Sequence, residues 1–147
     1  MDLETRPMTN VTYLSAPHMG SSARARVTPL QCPAPMLFDP APVRSIYARL
    51  PLAEAEDLIC RFLEDIAQRL DDLQRALACR EYENVDRPAR RVVLAASHLG
   101  LLDVVESAQH VRACLLQEDG IALHATTARL ERAFDLAVNE VWNLRGI

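Results

Sequence analysis

The sequence predicts an all-α fold: an antiparallel four-helix bundle with a short N-terminal helix and a flexible N-terminal arm. Apolar residues recur at spacings of three and four along four long segments, which is the period of an amphipathic helix. No segment alternates apolar and polar residues as a half-buried strand would. Half of the residues are hydrophobic but only 5% are aromatic, so the core must be mainly aliphatic, as is typical of helical bundles.

The first 37 residues differ from the rest of the chain. Five of the nine prolines fall in this stretch, and no helical or alternating period is sustained in it. Residues 1–37 are therefore expected to form a flexible arm, and residues 38–147 a single helical domain. The arm has two interpretations: a segment that tethers a partner, or an over-extended start, with the true beginning of the protein near Met36.

Helix-breaking and capping residues predict the first two helices. Asp39 is expected to cap a short helix over residues 42–50, which Pro51 ends because proline lacks a backbone N–H. The second helix is predicted over residues 52–80, where apolar residues form one stripe and acidic residues and arginines fill the opposite side.

Three further helices follow. The third is predicted over residues 87–99, with Asp86 as its N-cap. Gly100 interrupts it, and the fourth is predicted over residues 101–117. Gly120 is expected to adopt a positive φ before the fifth helix, over residues 121–144. The residues of the fourth helix expected to face inward are Leu102, Val105, Ala108, Val111, Cys114 and Leu115.

Composition and motifs exclude several functional classes. The net charge of −4 gives no reason to expect nucleic-acid binding, and all sixteen basic residues are arginine, so no lysine can form a Schiff base. The scattered His and Cys residues predict no metal site, no cofactor motif occurs, and no apolar run is long enough to insert in a membrane. The absence of a secretory signal favours a cytoplasmic protein with reduced cysteines.

The segment from Arg87 to Leu101 resembles the active-site helix of histidine-containing phosphotransfer (HPt) domains. The signature of that family is roughly A-H-x-L-K-G-x-A-x-x-L-G. Aligned on Leu99-Gly100, it places Ala89 on the alanine of the signature and Arg90 on the phosphoryl-accepting histidine. Val93 then falls on the lysine and Leu94 on the glycine. The resemblance extends over about residues 38–144 through the order and lengths of the helices.

The resemblance implies a two-component phosphorelay protein that docks a response-regulator receiver domain or a histidine kinase. Members of the family accept phosphate on an exposed imidazole, which has a free lone pair. Arg90 has none, so we expect a binding protein rather than an enzyme, without phosphate at the usual site. Its oligomeric state is left open. The residues expected to bind the partner are Arg87, Arg90, Arg91, Val93, Leu94, Ser97 and His98.

Two alternatives stay open. In the first, the protein is an active phosphotransfer protein that uses His98, which lies about 80° from Arg90 around the helix at 100° per residue. In the second, it is a helical interaction or oligomerisation module unrelated to phosphorelays. His110 and His124 are expected to be solvated residues outside any site.

Overall fold

The computed structural model describes residues 36–146, in which all regular structure is helical and no strand occurs. The all-α prediction is therefore confirmed, and the predicted arm lies outside the described residues except for Met36 and Leu37. Two 3-10 turns, at Tyr82–Asn84 and Leu144–Gly146, accompany five helices. The helices are α1 (Ala41–Arg49), α2 (Leu52–Ala78), α3 (Asp86–Leu99), α4 (Leu102–Leu116) and α5 (Gly120–Asn143).

The five helices pack together around one aliphatic core. Helix α3 packs against both α2 and α4, and α4 also packs against α5. Each long helix contributes large side chains that are removed from water, at about 1.5–3 kcal/mol of stabilisation per side chain. The largest fully buried side chains include Ile59, Ile66, Leu73, Leu99, Leu101, Val104, Val111, Leu130 and Val141.

The predicted inward register at the start of α4 is wrong. Leu102 is 47% exposed, whereas Leu101 and Val104 are completely buried. Gly100 closes α3 in a left-handed conformation, with φ of 72°, and Leu101 becomes the N-cap of α4. From Leu101 onward, steps of three and four lead inward to Val104, Ala108 and Val111, so Leu102 faces solvent.

The segment before α1 is hydrogen-bonded to the turn between α3 and α4. The Asp39 N–H donates to the Gly100 carbonyl at 2.9 Å. The Leu37 N–H donates to the Asp103 carboxylate at 2.8 Å, and the Asp103 N–H returns a bond to the Leu37 carbonyl at 3.2 Å. Asp39 is not the N-cap that the sequence predicted, because α1 begins one residue earlier than expected and Pro40 occupies the cap. The Asp39 carboxylate still accepts a hydrogen bond from the Ala41 N–H, the first residue of the helix, at 3.0 Å.

The positive φ expected at Gly120 is found elsewhere. Gly120 is the first residue of α5, and the left-handed position after α4 belongs to Glu118, with φ of 56°. Arg80 takes the same conformation after α2, with φ of 57°. Arg80 and Glu118 each take the position just after a helix that glycine commonly occupies. In both cases the N–H of the following residue, Glu81 or Asp119, donates to a carbonyl five residues earlier, which is the hydrogen bond typical of such a helix end.

Replacing Arg80 by glycine is expected to stabilise the protein by about 0.5–1 kcal/mol, because glycine adopts a positive φ without steric cost. The midpoint of urea denaturation, followed by circular dichroism, measures the change. Arg61→Gly is the matched control, since Arg61 is exposed and forms no ion pair with another described residue. It lies inside α2, where glycine should destabilise by about 1 kcal/mol. Equal shifts for both variants would contradict the prediction.

Candidate docking surface

One side of α3 is exposed along the whole length of the helix. At about 100° per residue, its exposed side chains fall within an arc of about 120°, and the opposite side lies in the core. The exposed side chains, called the α3 face below, are Arg87, Arg90, Arg91, Leu94, Ser97 and His98. The structure therefore brings these predicted binding residues together. Val93, which was also predicted to bind the partner, is not part of the α3 face, because its side chain is partly buried against the core.

Arg90 projects from the second turn of α3 with 63% of its side chain exposed. Its guanidinium donates a hydrogen bond to the Asp86 carboxylate at 2.7 Å, one helical turn earlier. The other oxygen of that carboxylate accepts from Nε of Arg112, on α4, also at 2.7 Å. Asp86 therefore orients Arg90 and links α3 to α4.

Asp86 is not the N-cap that the sequence predicted. Val85 occupies the cap in a helical conformation, because the preceding 3-10 turn continues directly into α3. Asp86 instead lies in the first turn, where a carboxylate interacts favourably with the helix dipole. The hydrogen bond from Arg112 is the main cause that lowers the pKa of Asp86. The charge of Arg112 and the contact with Arg90 act in the same direction, and partial desolvation opposes them.

This lowered pKa predicts a pH-dependent contribution to stability. Because the folded protein holds the Asp86 proton less tightly than the unfolded chain, the contribution is fully present above the unfolded pKa of about 3.9 and is lost as the pH falls through the lower folded value. We expect Asp86→Asn to reduce the free energy of unfolding at pH 6, and to reduce it less as the pH falls toward 2.

The measurement is urea denaturation of both proteins across this pH range. Asp71→Asn on the exposed side of α2 is the control, since Asp71 forms no ion pair with any residue of the described chain. A difference between Asp86→Asn and the parent that stayed constant from pH 2 to pH 6 would refute the role given to the Asp86 carboxylate.

Arg87 and Arg91 line an open groove of about 430 Å³ between the end of α2 and the start of α3. Arg69 and Arg75 line its opposite wall, and Arg69 is neutralised by Asp65 at 3.1 Å and Asp72 at 3.0 Å. Arg87 forms no ion pair within residues 36–146, nor does Arg91. The carboxylates of Asp72, Glu81 and Glu83 line the same groove, so the groove holds charges of both signs, with Arg87 and Arg91 on its α3 side.

The far end of the α3 face carries His98. Its ring stacks on Phe62 of α2, with the ring centroids 5.2 Å apart and the planes inclined by 29°. The neighbouring Ser97 hydroxyl donates to the Val93 carbonyl at 2.6 Å. Leu94, 57% exposed, lies between this end and the arginines. The face thus combines a cationic end, an aliphatic centre and an aromatic pair.

Several contributors to this surface were not found from the sequence. Phe62, Arg69 and Arg75 belong to α2, and Arg112 belongs to α4. Only packing of the helices brings them beside α3. The sequence pointed to Asp86 only as the N-cap of α3, not as a partner of Arg90 and Arg112. A local signal did exist for it, because Asp86 and Arg90 have the spacing of a helical ion pair.

The remaining candidate chemistry lies outside this face. His110 is 4.0 Å from Glu106 and His124 is exposed on α5, as expected of solvated residues. Within residues 36–146, no three His, Cys, Asp or Glu side chains are grouped so that they could hold a metal ion. In the same range, no helix has both the length and the apolar character needed to cross a bilayer.

Comparison of the chain with protein-family models, with curated proteins and with solved structures gives no match in any of the three. The chemistry of the α3 face must therefore be judged from its own residues. Guanidinium groups bind carboxylates and phosphates through charge-assisted hydrogen bonds, and they cannot act as nucleophiles at neutral pH because they remain protonated.

Proposed function

We propose that the protein is a two-component phosphorelay component that docks a response-regulator receiver domain or a histidine kinase through the α3 face, without carrying phosphate at position 90. One observation carries the proposal. Arg90 projects into solvent from the helix position where the HPt resemblance puts the phosphoryl-accepting histidine. A guanidinium there can bind an acidic pocket but cannot accept its phosphoryl group.

The proposed scaffold is an antiparallel four-helix bundle formed by α2 to α5. Two contacts support it. Asp86, in the first turn of α3, pairs with Arg112 near the end of α4, as neighbouring antiparallel helices require. Gln74, late in α2, hydrogen-bonds Glu131 of α5. Cys60, Cys79 and Cys114 form no disulfide within residues 36–146, which fits the reducing cytoplasm in which we place the protein.

The α3 face has the composition of a protein-binding surface. Arginine and aromatic side chains commonly dominate binding energy when a partner removes them from water. Here Arg90 would meet the acidic pocket of a receiver, while Leu94 and the stacked His98 and Phe62 would supply apolar contact. The Arg90 guanidinium is hydrogen-bonded to Asp86, so the acidic pocket of a receiver would share or replace that contact.

The proposal predicts that Arg90→Ala weakens binding to the cognate receiver or kinase about tenfold or more, a loss of at least about 1.4 kcal/mol. Isothermal titration calorimetry against receivers and kinases from the same cell measures it. Arg132→Ala is the matched control, because Arg132 is an exposed arginine on α5, far along the chain from the α3 face. Unchanged binding by Arg90→Ala would contradict the proposal.

Phosphate transfer provides a second readout. When the parent protein is mixed with phosphorylated receivers or with kinase and ATP, no acid-labile phosphate is expected on it. Labelling of the parent would overturn the proposal. It would favour an active protein that uses His98, whose exposed ring lies on the same face. In that case His98→Ala would abolish the label. If no receiver or kinase binds, an interaction module unrelated to phosphorelays is favoured.

A further inference from the structure

Two aliphatic side chains stand almost completely in water at the connection between α4 and α5. Leu116, the last residue of α4, is 85% exposed, and Ile121, in the first turn of α5, is 87% exposed. They are the most exposed large hydrophobic side chains of the described residues. A single exposed leucine is ordinary. Here both residues directly follow residues that line a cavity, Leu115 and Gly120, and exposed apolar groups near a cavity are typical of interaction sites.

The cavity has a volume of about 480 Å³ and lies between the α4–α5 connection and the 3-10 turn before α3. Leu115, Leu123 and Cys114 give it an apolar lining. Tyr82 forms part of the wall, with its hydroxyl 3.6 Å from the position that a Cβ on Gly120 would take. The volume accommodates a large aliphatic or aromatic side chain.

Every charged residue that lines this cavity is acidic: Glu83, Glu118 and Asp119. None of these three carboxylates forms an ion pair with another described residue. Asp119 accepts a hydrogen bond from the Ala122 N–H at 3.0 Å, which caps α5. No cation within residues 36–146 pairs with its charge. An apolar cavity therefore opens inside a negatively charged rim.

We propose that this cavity, together with Leu116 and Ile121, docks a cationic amphipathic segment of a partner protein. An apolar side chain of that segment enters the cavity, and its lysines or arginines meet the carboxylates of Glu83, Glu118 and Asp119. The acidic rim repels the phosphates of nucleic acids and the headgroups of anionic lipids. Glu83 also lines the groove that contains Arg87 and Arg91, whereas the other residues that line the cavity do not line that groove. The proposal does not depend on the function proposed for the α3 face.

The test uses the full chain and a synthetic peptide of about 18 residues, five helical turns, with leucines on one side and lysines on the other. A second peptide carries glutamate in place of every lysine. NMR titration of the ¹⁵N-labelled protein is expected to show the lysine peptide shifting amides around Glu118 and Leu123. The glutamate peptide is expected to bind at least tenfold more weakly. Equal affinity for the two peptides would overturn the proposal.

Two sets of variants locate the binding. The double variant Leu116→Ser/Ile121→Ser should lower the affinity for the lysine peptide tenfold or more. The control Leu136→Ser, which changes an exposed leucine elsewhere on α5, should leave that affinity unchanged. Glu83→Gln with Glu118→Gln should weaken binding and reduce its salt dependence, and Glu64→Gln should not. If the paired variants bind like the parent, the site is refuted. Arg90→Ala should leave peptide binding unchanged, which separates this test from that of the α3 face.

The same experiments would reveal whether a second copy of this chain, rather than a partner protein, occupies the site. Three results together would identify the surface as an interface between two copies of the chain. The parent protein would self-associate in analytical ultracentrifugation, the double variant Leu116→Ser/Ile121→Ser would abolish that association, and the lysine peptide would not bind. That result overturns the proposal. A monomeric parent that binds the lysine peptide at this site supports it.

Discussion

Replacing Gly100 by alanine is expected to lower the free energy of unfolding by about 2–5 kcal/mol. Gly100 has a φ of 72°, which costs an L-residue about 1–2 kcal/mol. A Cβ at this position would also lie 2.1 Å from the backbone carbonyl oxygen of Asp39. Since that oxygen belongs to the main chain, no side-chain rotation relieves the overlap, and overpacking adds about 1–3 kcal/mol.

The overlap can be relieved only if the segment before α1 moves away from the α3–α4 turn. Such a movement breaks the bond from the Asp39 N–H to the Gly100 carbonyl and disturbs the paired bonds between Leu37 and Asp103. We therefore expect amide hydrogen exchange in Gly100→Ala to rise first at Asp39 and Leu37, before it rises in the core of α2.

Gly120→Ala is the matched control. Gly120 is the first residue of α5, and a Cβ there would lie 3.6 Å from the Tyr82 hydroxyl, an ordinary contact. Alanine at this position should be neutral or stabilising by up to about 1 kcal/mol. Urea denaturation followed at 222 nm compares the two variants. Similar midpoints for Gly100→Ala and Gly120→Ala would show that Asp39 does not constrain Gly100.

The helices could be predicted from the sequence because their periodicity is local. In α5, the apolar residues that recur with a helical period are buried up to Val141: Leu123, Leu130, Phe134, Ala137 and Val141. The next in the series, Leu144, is partly buried. The start of α4 could not be predicted, because apolar residues occupy positions 101, 102, 104 and 105 and allow two registers. The turn at Gly100 selects the register with Leu101 inside, and that turn depends on contact with Asp39, a residue distant in sequence.

The candidate surface shows the same division between local and tertiary information. The exposure of Arg87, Arg90 and Leu94 follows from the pattern of α3, since the residues between them face the core. The pairing of Asp86 with Arg112 joins positions 26 residues apart, and no local pattern encodes it. Val93 was expected to contact a partner because of its place in the family signature, but it lies at the edge of the core.

The largest functional change is expected from Arg90→His. This substitution places an imidazole, with a free lone pair near neutral pH, at the exposed position where Arg90 now projects. If the α3 face docks a phosphorylated receiver, that imidazole can attack the phosphoryl group. We expect acid-labile, base-stable phosphate on Arg90→His and none on the parent, as measured by transfer from a labelled receiver or kinase.

Two further substitutions should increase the transfer. Val93→Lys adds a cation one turn away; because Val93 packs against the edge of the core, the lysine must extend outward along its aliphatic stem to reach the phosphoryl oxygens. Leu94→Gly removes a side chain that is 57% exposed beside the new histidine. The glycine should destabilise α3 by about 1 kcal/mol, so its effect on labelling must be compared at temperatures where each variant is folded. An increase with Val93→Lys alone would already support the alignment to the family signature.

Arg87→His is the control that tests position. It places a histidine on the same exposed face of α3, three residues before Arg90, and it leaves the contact between Arg90 and Asp86 intact. We expect no phosphate on this variant. Because His98 is present in every protein compared, label that appears only with Arg90→His can come only from the new imidazole. Equal labelling of the Arg87 and Arg90 variants would show that exposure on α3, rather than the register of the family signature, decides which histidine reacts.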